Sequence, residues 1–386
     1  QAVAFINQSE FWANQARNHG GAIYHSAQRL NVDSSRFESN ESHVHGGAIY
    51  WDGFAQAILD IKRTTLLNNR ALQGKGGAIN MQRAGLLELA ESTFDRNQAA
   101  MEGGGIAAYG DGGTIYWGGF SANLENNTFS QNQSLGNTGG AIDIKGGALW
   151  DILHNTFSLN SANDGGAISY GVNLTKLQQI NLDHSLIAGN TASGAGVDVF
   201  FAGGAGTILS LGSNLIGIID ASGITPSASD LSGTLSSPLA ALLGPLANNG
   251  GLTWTHLPLA GSPAIDGGTA TPLLFDQRGV PRSGAFDIGA VERVSGAPRI
   301  SVSVSSGVKL WPNPSQGSFQ IRLAETYEQP VQIKIFNNAG QLIHTTSLAA
   351  GQNELKLNVL RDQPSGIYLV EISGPLERES LRIVRD

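Results

Sequence analysis

Along the first half of the chain, apolar and polar residues alternate in short bursts, and Gly, Asn, Asp or Ser interrupts each burst. No stretch carries the i, i+3, i+4 apolar spacing of a helix, so the pattern predicts short strands joined by tight turns. The bursts also repeat. Gly-Gly-Ala-Ile stands at Gly20–Ile23, Gly46–Ile49, Gly76–Ile79, Gly139–Ile142 and Gly165–Ile168, with looser copies at Gly103–Ile106 and Gly194–Val197. Ahead of each copy an apolar residue is followed three positions later by asparagine: Phe11/Asn14, Phe37/Asn40, Leu66/Asn69, Phe94/Asn97, Phe129/Asn132, Phe157/Asn160 and Ile187/Asn190.

The branched residues that close these copies stand at 23, 49, 79, 106, 142, 168 and 197, in steps of 26, 30, 27, 36, 26 and 29 residues. Units of that length predict a stacked array in which each unit is one rung of a parallel β-helix. Seven rungs at the spacing of paired strands make a rod section about 34 Å long. Phe11, Phe37, Leu66, Phe94, Phe129, Phe157 and Ile187 are expected to form one buried column. Ile23, Ile49, Ile79, Ile106, Ile142, Ile168 and Val197 are expected to form another. The asparagines are expected to bond to one another in a turn, because Asn tolerates left-handed backbone, and the glycine pairs mark bends without room for a side chain. The residue after each branched position is then expected to face solvent: Tyr24, Tyr50, Asn80, Ala107, Asp143, Ser169 and Asp198.

These two strings resemble the repeats of the chlamydial polymorphic outer-membrane proteins and of bacterial right-handed β-helix surface proteins, over about residues 5 to 200. The resemblance implies the fold and says little of activity. From residue 207 to 292 a different series appears: Ser213-Asn214-Leu215-Ile216-Gly217, Leu243-Gly244-Pro245-Leu246, Gly261-Ser262-Pro263-Ala264-Ile265-Asp266, Asp276-Gln277-Arg278-Gly279 and Asp287-Ile288-Gly289-Ala290-Val291-Glu292. It resembles the choice-of-anchor Q module of exported bacterial proteins and is expected to end the β-helix.

Residues 293–306 read as a linker. Beyond it, alternating runs at Ser318–Leu323, Val331–Phe336, Leu342–Thr346, Glu354–Val359, Ile367–Ile372 and Leu381–Val384 predict a small antiparallel immunoglobulin-like sandwich over 307–386. Leu310-Trp311-Pro312-Asn313-Pro314 with Gly317, the Ile333/Ile335/Asn337/Gly340 strand and turn, Gly366-Ile367-Tyr368 and Arg382-Ile383-Val384 resemble the type A C-terminal sorting domain of type IX secretion. That resemblance implies a Bacteroidetes-type, Gram-negative source, a passenger carried across the outer membrane, and removal of the tail. The passenger is then either released or attached at the surface. The fold class is therefore all-β: a right-handed parallel β-helix followed by a small antiparallel sandwich.

Composition narrows the partners. The 386 residues include 51 glycines and no cysteine, so neither a disulfide framework nor a thiolate metal site exists. A formal charge of −8 argues against nucleic acid, and no apolar run reaches the length of a membrane span. The repeats begin at once, which predicts that a signal segment and further rungs precede Gln1.

Most candidate chemistry reads as structural. Asp266, Asp276, Arg278, Asp287 and Glu292 are expected to fix turns and form an Arg–carboxylate pair, with a catalytic or calcium site as the alternative. His19, His43 and His45 read as repeat-stacked surface histidines, a metal site being the alternative. Asp143 and Asp198 lie two rungs apart in the outward column, about 10 Å by strand spacing, too far for a retaining glycosidase pair and at the limit for an inverting one. No cofactor is called for, calcium being the one candidate. The better clue is the long 36-residue step. Its extra residues read Tyr109-Gly110-Asp111-Gly112-Gly113-Thr114-Ile115-Tyr116-Trp117-Gly118-Gly119-Phe120, and solenoid insertions become loops that bind. Tyr109, Tyr116, Trp117 and Phe120 are the candidate ligand-binding residues, with Trp51 and Trp150 as contributors from other rungs. The reading is an exported surface or secreted β-helix that adheres to polysaccharide or to a neighbouring or host cell surface. The alternatives are a polysaccharide lyase or glycoside hydrolase acting on a lateral face, and a surface-layer component.

Overall fold

The computed structural model describes residues 3–54, 56–83, 85–109, 120–145, 149–171, 178–204, 206–293, 309–313, 315–323, 326, 330–337, 342–373 and 378–385. Among these, strands alternate with turns and bends and no helix forms. The chain divides into two compact units, Gln1–Arg293 and Val294–Asp386.

The first unit is a parallel β-solenoid of about seven turns. Each full turn contributes one strand to each of four parallel sheets. Sheet 1 stacks eight strands from Val3–Asn7 to Gly206–Gly212, and sheet 2 stacks nine from Glu10–Trp12 to Leu231–Ser232. Sheets 3 and 4 each stack seven, from Gln15–Ala16 to Thr191–Ala192 and from Ile23–His25 to Val199–Phe201.

Like lies over like because every register is parallel. Phe37 pairs with Phe11 and Leu66, Phe94 with Leu66 and Phe129, and Phe157 with Phe129 and Ile187. The Phe94, Phe129 and Phe157 rings stack at 4.8 and 4.7 Å between centroids, the offset packing that aromatic quadrupoles favour. Across the 36-residue step too, Ile106 pairs with Ile142. The isoleucine column ends differently from the expectation. Ile168 pairs with Val199 and not with Val197, because the last left-handed glycine of the series is Gly196. The final copy is therefore Gly196-Val197-Asp198-Val199.

The glycine pair is obligatory for two different reasons. Its first member takes a left-handed φ, 66° at Gly46, and a Cβ on the second, at Gly47, would lie 2.0 Å from the Gly77 carbonyl oxygen of the next turn.

Asparagines do form a ladder, but the left-handed residue is the one before each: Ser39, Asn68, Arg96, Gln131 and Leu159 have φ of 52–62°. Each asparagine Nδ2 donates to the Oδ1 of the next, as Asn69 does to Asn97 and Asn97 to Asn132, both at 2.9 Å. The same Oδ1 atoms accept the backbone N–H of the residue below. A second ladder, not anticipated, turns the corner between sheets 1 and 2 through Ser9, Ser35, Thr64, Ser92, Asn127, Asn155, Ser185 and Asn214. Both end on an aspartate: Asn190 donates to Asp198 and Asn214 to Asp230.

After residue 232 the chain leaves the stack and becomes a strap along the outer face of sheet 2. It reaches toward the N-terminal turns as far as Glu91 and Thr93, met by Thr253 and Trp254, and returns to His184, met by Gly289. Gln277 staples it down. Its Nε2 donates to Thr93 Oγ1 at 3.0 Å and Thr253 Oγ1 at 2.9 Å, and its Oε1 accepts from Thr128 Oγ1 at 2.6 Å. Where the strap lies, the outward residues of sheet 2 are buried, first the short Thr93, Thr128, Ser130 and Thr156 and then Leu186 and Leu215, which pack against Ala241, Ala264 and Ile288 of the strap. On the turns it does not cover, they are Glu10, Trp12, Arg36 and Glu38.

The second unit holds a three-stranded antiparallel sheet (Lys309–Trp311, Phe319–Arg322, Glu354–Leu357). It also holds a four-stranded one (Leu342–Leu348, Val331–Phe336, Gly366–Ser373, Arg378–Arg385). Their alternating inward residues, among them Phe319, Ile321, Val331, Ile333, Ile335 and Val370, share one core.

Candidate functional site

The outward column of sheet 4 departs most from expectation. Asn80, Ala107, Asp143 and Ser169 are wholly buried and Tyr50 nearly so, leaving only Tyr24 exposed. The column's last member is Phe200, paired with Ser169; Asp198 stands two residues earlier, at the alanine position of the repeat. At two turns the residue ahead of the glycine pair reaches the column member five positions later. The His45 ring stacks with that of Tyr50, and Thr138 Oγ1 donates to Asp143 Oδ1 at 2.6 Å. The Asp143/Asp198 pair therefore does not exist on this face. Asp198 accepts from Asn190 and from the Ile218 N–H, and burial pushes its carboxyl up to about 6.

This second column, His19, His45, Lys75, Glu102 and Thr138, was legible in the repeat as the position before Gly-Gly, yet its meeting with the first column was not. Their meeting builds a polar cluster at the middle turns. Glu102 receives Lys145 Nζ at 2.8 Å on one oxygen and Lys75 Nζ at 3.6 Å on the other. Lys145 also reaches Asp143 Oδ2 at 3.5 Å. Asn80 sits two strands before Asp143, with Ala107 between. Neither amide atom of Asn80 has a hydrogen-bond partner, nor does Ser169 Oγ beyond Asp143. Buried polar groups are ordinarily satisfied, so these two are exceptions that need a cause.

The candidate binding loop is rooted here. Tyr109 ends the strand Ile106–Tyr109, beside Gln82 and in the row of Lys145, and Phe120 opens the strand Phe120–Glu125. Tyr116 and Trp117 lie outside the described residues. Trp51 and Trp150, expected as contributors, are core residues sealed from solvent.

The other candidates are structural in form. His19 and His45 stack at 5.2 Å, Lys75 N donates to His45 Nδ1, and burial, with help from His19 and Lys75, holds the His45 imidazole neutral by lowering it to about 4. Among the described residues no three His, Asp or Glu side chains are grouped to hold a metal ion. In the strap, Asp276 pairs with Arg278 through Nε at 2.9 Å and Nη2 at 2.7 Å, and its oxygens also accept the Arg278, Val280 and Glu292 N–H groups. Arg282, fully buried, donates to Asn126 Oδ1 and the Gly289 carbonyl and reaches Glu292 at 3.5 Å. Asp287 accepts the Asp266 and Arg293 N–H groups, and burial raises its carboxyl to about 6.

No helix among the described residues is long and apolar enough to cross a membrane. No curated protein matches the chain. Residues 309–384 match the family model of the secretion system C-terminal sorting domain. A type IX secretion sorting tail implies export to the cell surface or extracellular space, with the β-solenoid as its passenger and the secretion machinery as a partner of the tail.

Proposed function

We propose that the passenger is a non-catalytic adhesin that binds extracellular glycan on the outer face of sheet 4. The observation that carries this is the strand end at Tyr109, the first residue of the aromatic stretch, which stands in the row of Lys145 and Gln82 on the sheet whose buried Asn80 amide is unspent. Carboxylates, ammoniums and an amide together supply the donors and acceptors that sugar hydroxyls require, and aromatic rings supply the apolar faces that sugars stack on. A Gram-negative, Bacteroidetes-type host with polysaccharide or a neighbouring cell surface as target belongs to the same reading. Glycan-array binding by the full chain, compared with Trp117→Ala, tests it; binding unchanged by the substitution removes the loop from the site.

A second reading, cleavage of polysaccharide on this face, draws on Lys145 held between Glu102 and Asp143. Product release from a polysaccharide panel, with and without calcium, separates it from binding alone.

A further inference from the structure

We infer that the glycan taken by this face is uncharged, an inference that rests on the glycan-binding reading above. The reason is that every charge in the cluster is already opposed by another. Lys75 and Lys145 face Glu102 and Asp143, two cations against two anions. The neighbouring Asp52 is matched by Arg83 at 3.0 Å. His45 brings no further cation at neutral pH, because burial keeps it neutral. Asp164, one turn beyond Thr138, adds a carboxylate whose Oδ1 is committed to the Ala195 N–H. A uronate entering here would bring a carboxylate into a partly desolvated site without an uncommitted cation, a costly burial. The chain's charge of −8 repels polyanions at long range as well.

A neutral pyranose meets no such penalty. Its hydroxyls both donate and accept, which is what Asn80 offers with an amide oxygen and an amide N–H₂ lacking partners, and what Ser169 offers with its hydroxyl. The two are separated along the rod by Ala107 and Asp143, three strand spacings or about 14 Å, a span suited to a short run of sugar rings aligned with the axis. Asn80 and Ser169 are both fully buried, so a sugar reaches them only with a shift of the side chains above them.

The test uses the full chain and equilibrium binding to two sets of polymers: neutral β-glucan, mannan and xylan, and the uronates polygalacturonate and alginate. Binding of a neutral polymer that is insensitive to salt, with the uronates at least tenfold weaker, is the expected result. Asn80→Leu is expected to weaken neutral binding about tenfold while leaving the thermal midpoint equal or higher, since it removes an unsatisfied amide from the interior. A purely structural Asn80 would instead show a lowered midpoint with binding unchanged, and that result overturns its role. Glu102→Gln should raise uronate affinity by freeing a positive charge. Uronates bound as tightly as neutral polymers by the wild-type chain overturn the inference while leaving glycan binding standing. Retention of no polymer from either set takes down the glycan-binding reading itself.

Discussion

Asn190 donates both its side-chain N–H, at 2.8 Å, and its backbone N–H, at 3.3 Å, to one oxygen of Asp198, so the asparagine ladder ends on a carboxylate where every earlier step meets another amide. The second oxygen of Asp198 takes the Ile218 N–H at 2.7 Å. Burial nevertheless dominates and raises the carboxyl to about 6. The folded chain therefore holds this proton to higher pH than the unfolded chain, and stability from this group is present below about pH 4 and lost as pH rises through about 6. The shift of about two units corresponds to roughly 3 kcal/mol. Asp198→Asn should lack this component. Urea unfolding of the two proteins across pH 4 to 8 checks it, and parallel profiles would show Asp198 to be unperturbed.

His154 gives a dependence of opposite sign. It is enclosed beneath the strap, with Nε2 3.2 Å from Thr271 Oγ1, and burial, reinforced by the Arg282 charge, lowers it to about 2. As pH falls below about 6.5 the unfolded chain takes up this proton and the folded chain does not, so about 1.4 kcal/mol is lost per pH unit. His154→Asn removes the titration and suits the left-handed backbone, as Asn126 does one turn earlier. The variant should lose less stability between pH 7 and pH 5 than the wild type, read from denaturant midpoints.

Gln277→Ala leaves Thr93, Thr128 and Thr253 without the amide that joins them. Thr93 and Thr253 still donate to the Trp254 and Glu91 carbonyls, so the Thr128 hydroxyl is the one that loses its acceptor, at about 1–3 kcal/mol where it stays unsatisfied. Hydrogen exchange should accelerate along residues 253–290 and leave the sheet 4 strands unchanged. Uniform acceleration of both would mean that strap and solenoid open as one unit.

Phe129→Ala empties a position stacked on both sides and should cost about 3–5 kcal/mol. Trp12→Ala, at an outward position 71% exposed, should cost within about 0.5 kcal/mol. Equal losses would contradict the assignment of inward and outward faces.

Deleting residues 307–386 should abolish export and leave the passenger inside the outer membrane, measured by fractionating culture medium and cells. Undiminished secretion would mean that the tail matched over 309–384 does not serve as the sorting signal.

The two apolar columns were legible because a parallel stack repeats its contacts: Phe37 meets Phe11 and Leu66 for the same reason that Phe129 meets Phe94 and Phe157. The serine and asparagine ladder at the other corner carried an equal signal, a Ser, Thr or Asn two residues ahead of each Phe, and went unread because its members differ in kind. The burial of Asn80 and Asp143 was not readable from alternation within one strand. At Asp143 it involves Thr138, five residues earlier in the same turn, at the corner between sheets 3 and 4. The strap was hidden for a related reason. It forms almost no regular strand, and its trace lies in its partner, where Glu10 and Arg36 give way to Thr93, Thr128 and Thr156.

All seven asparagine side chains from Asn14 to Asn190 point the same way, each amide N–H toward the next turn and each carbonyl toward the one before. Their dipoles add along the axis instead of cancelling, so the rod has a positive pole at its C-terminal end, much as a helix has one at its start. Asp198 sits on that pole as its counter-charge. The column is thus electrically directional, and a turn stacks on it favourably in one orientation only, oxygen to the incoming hydrogen.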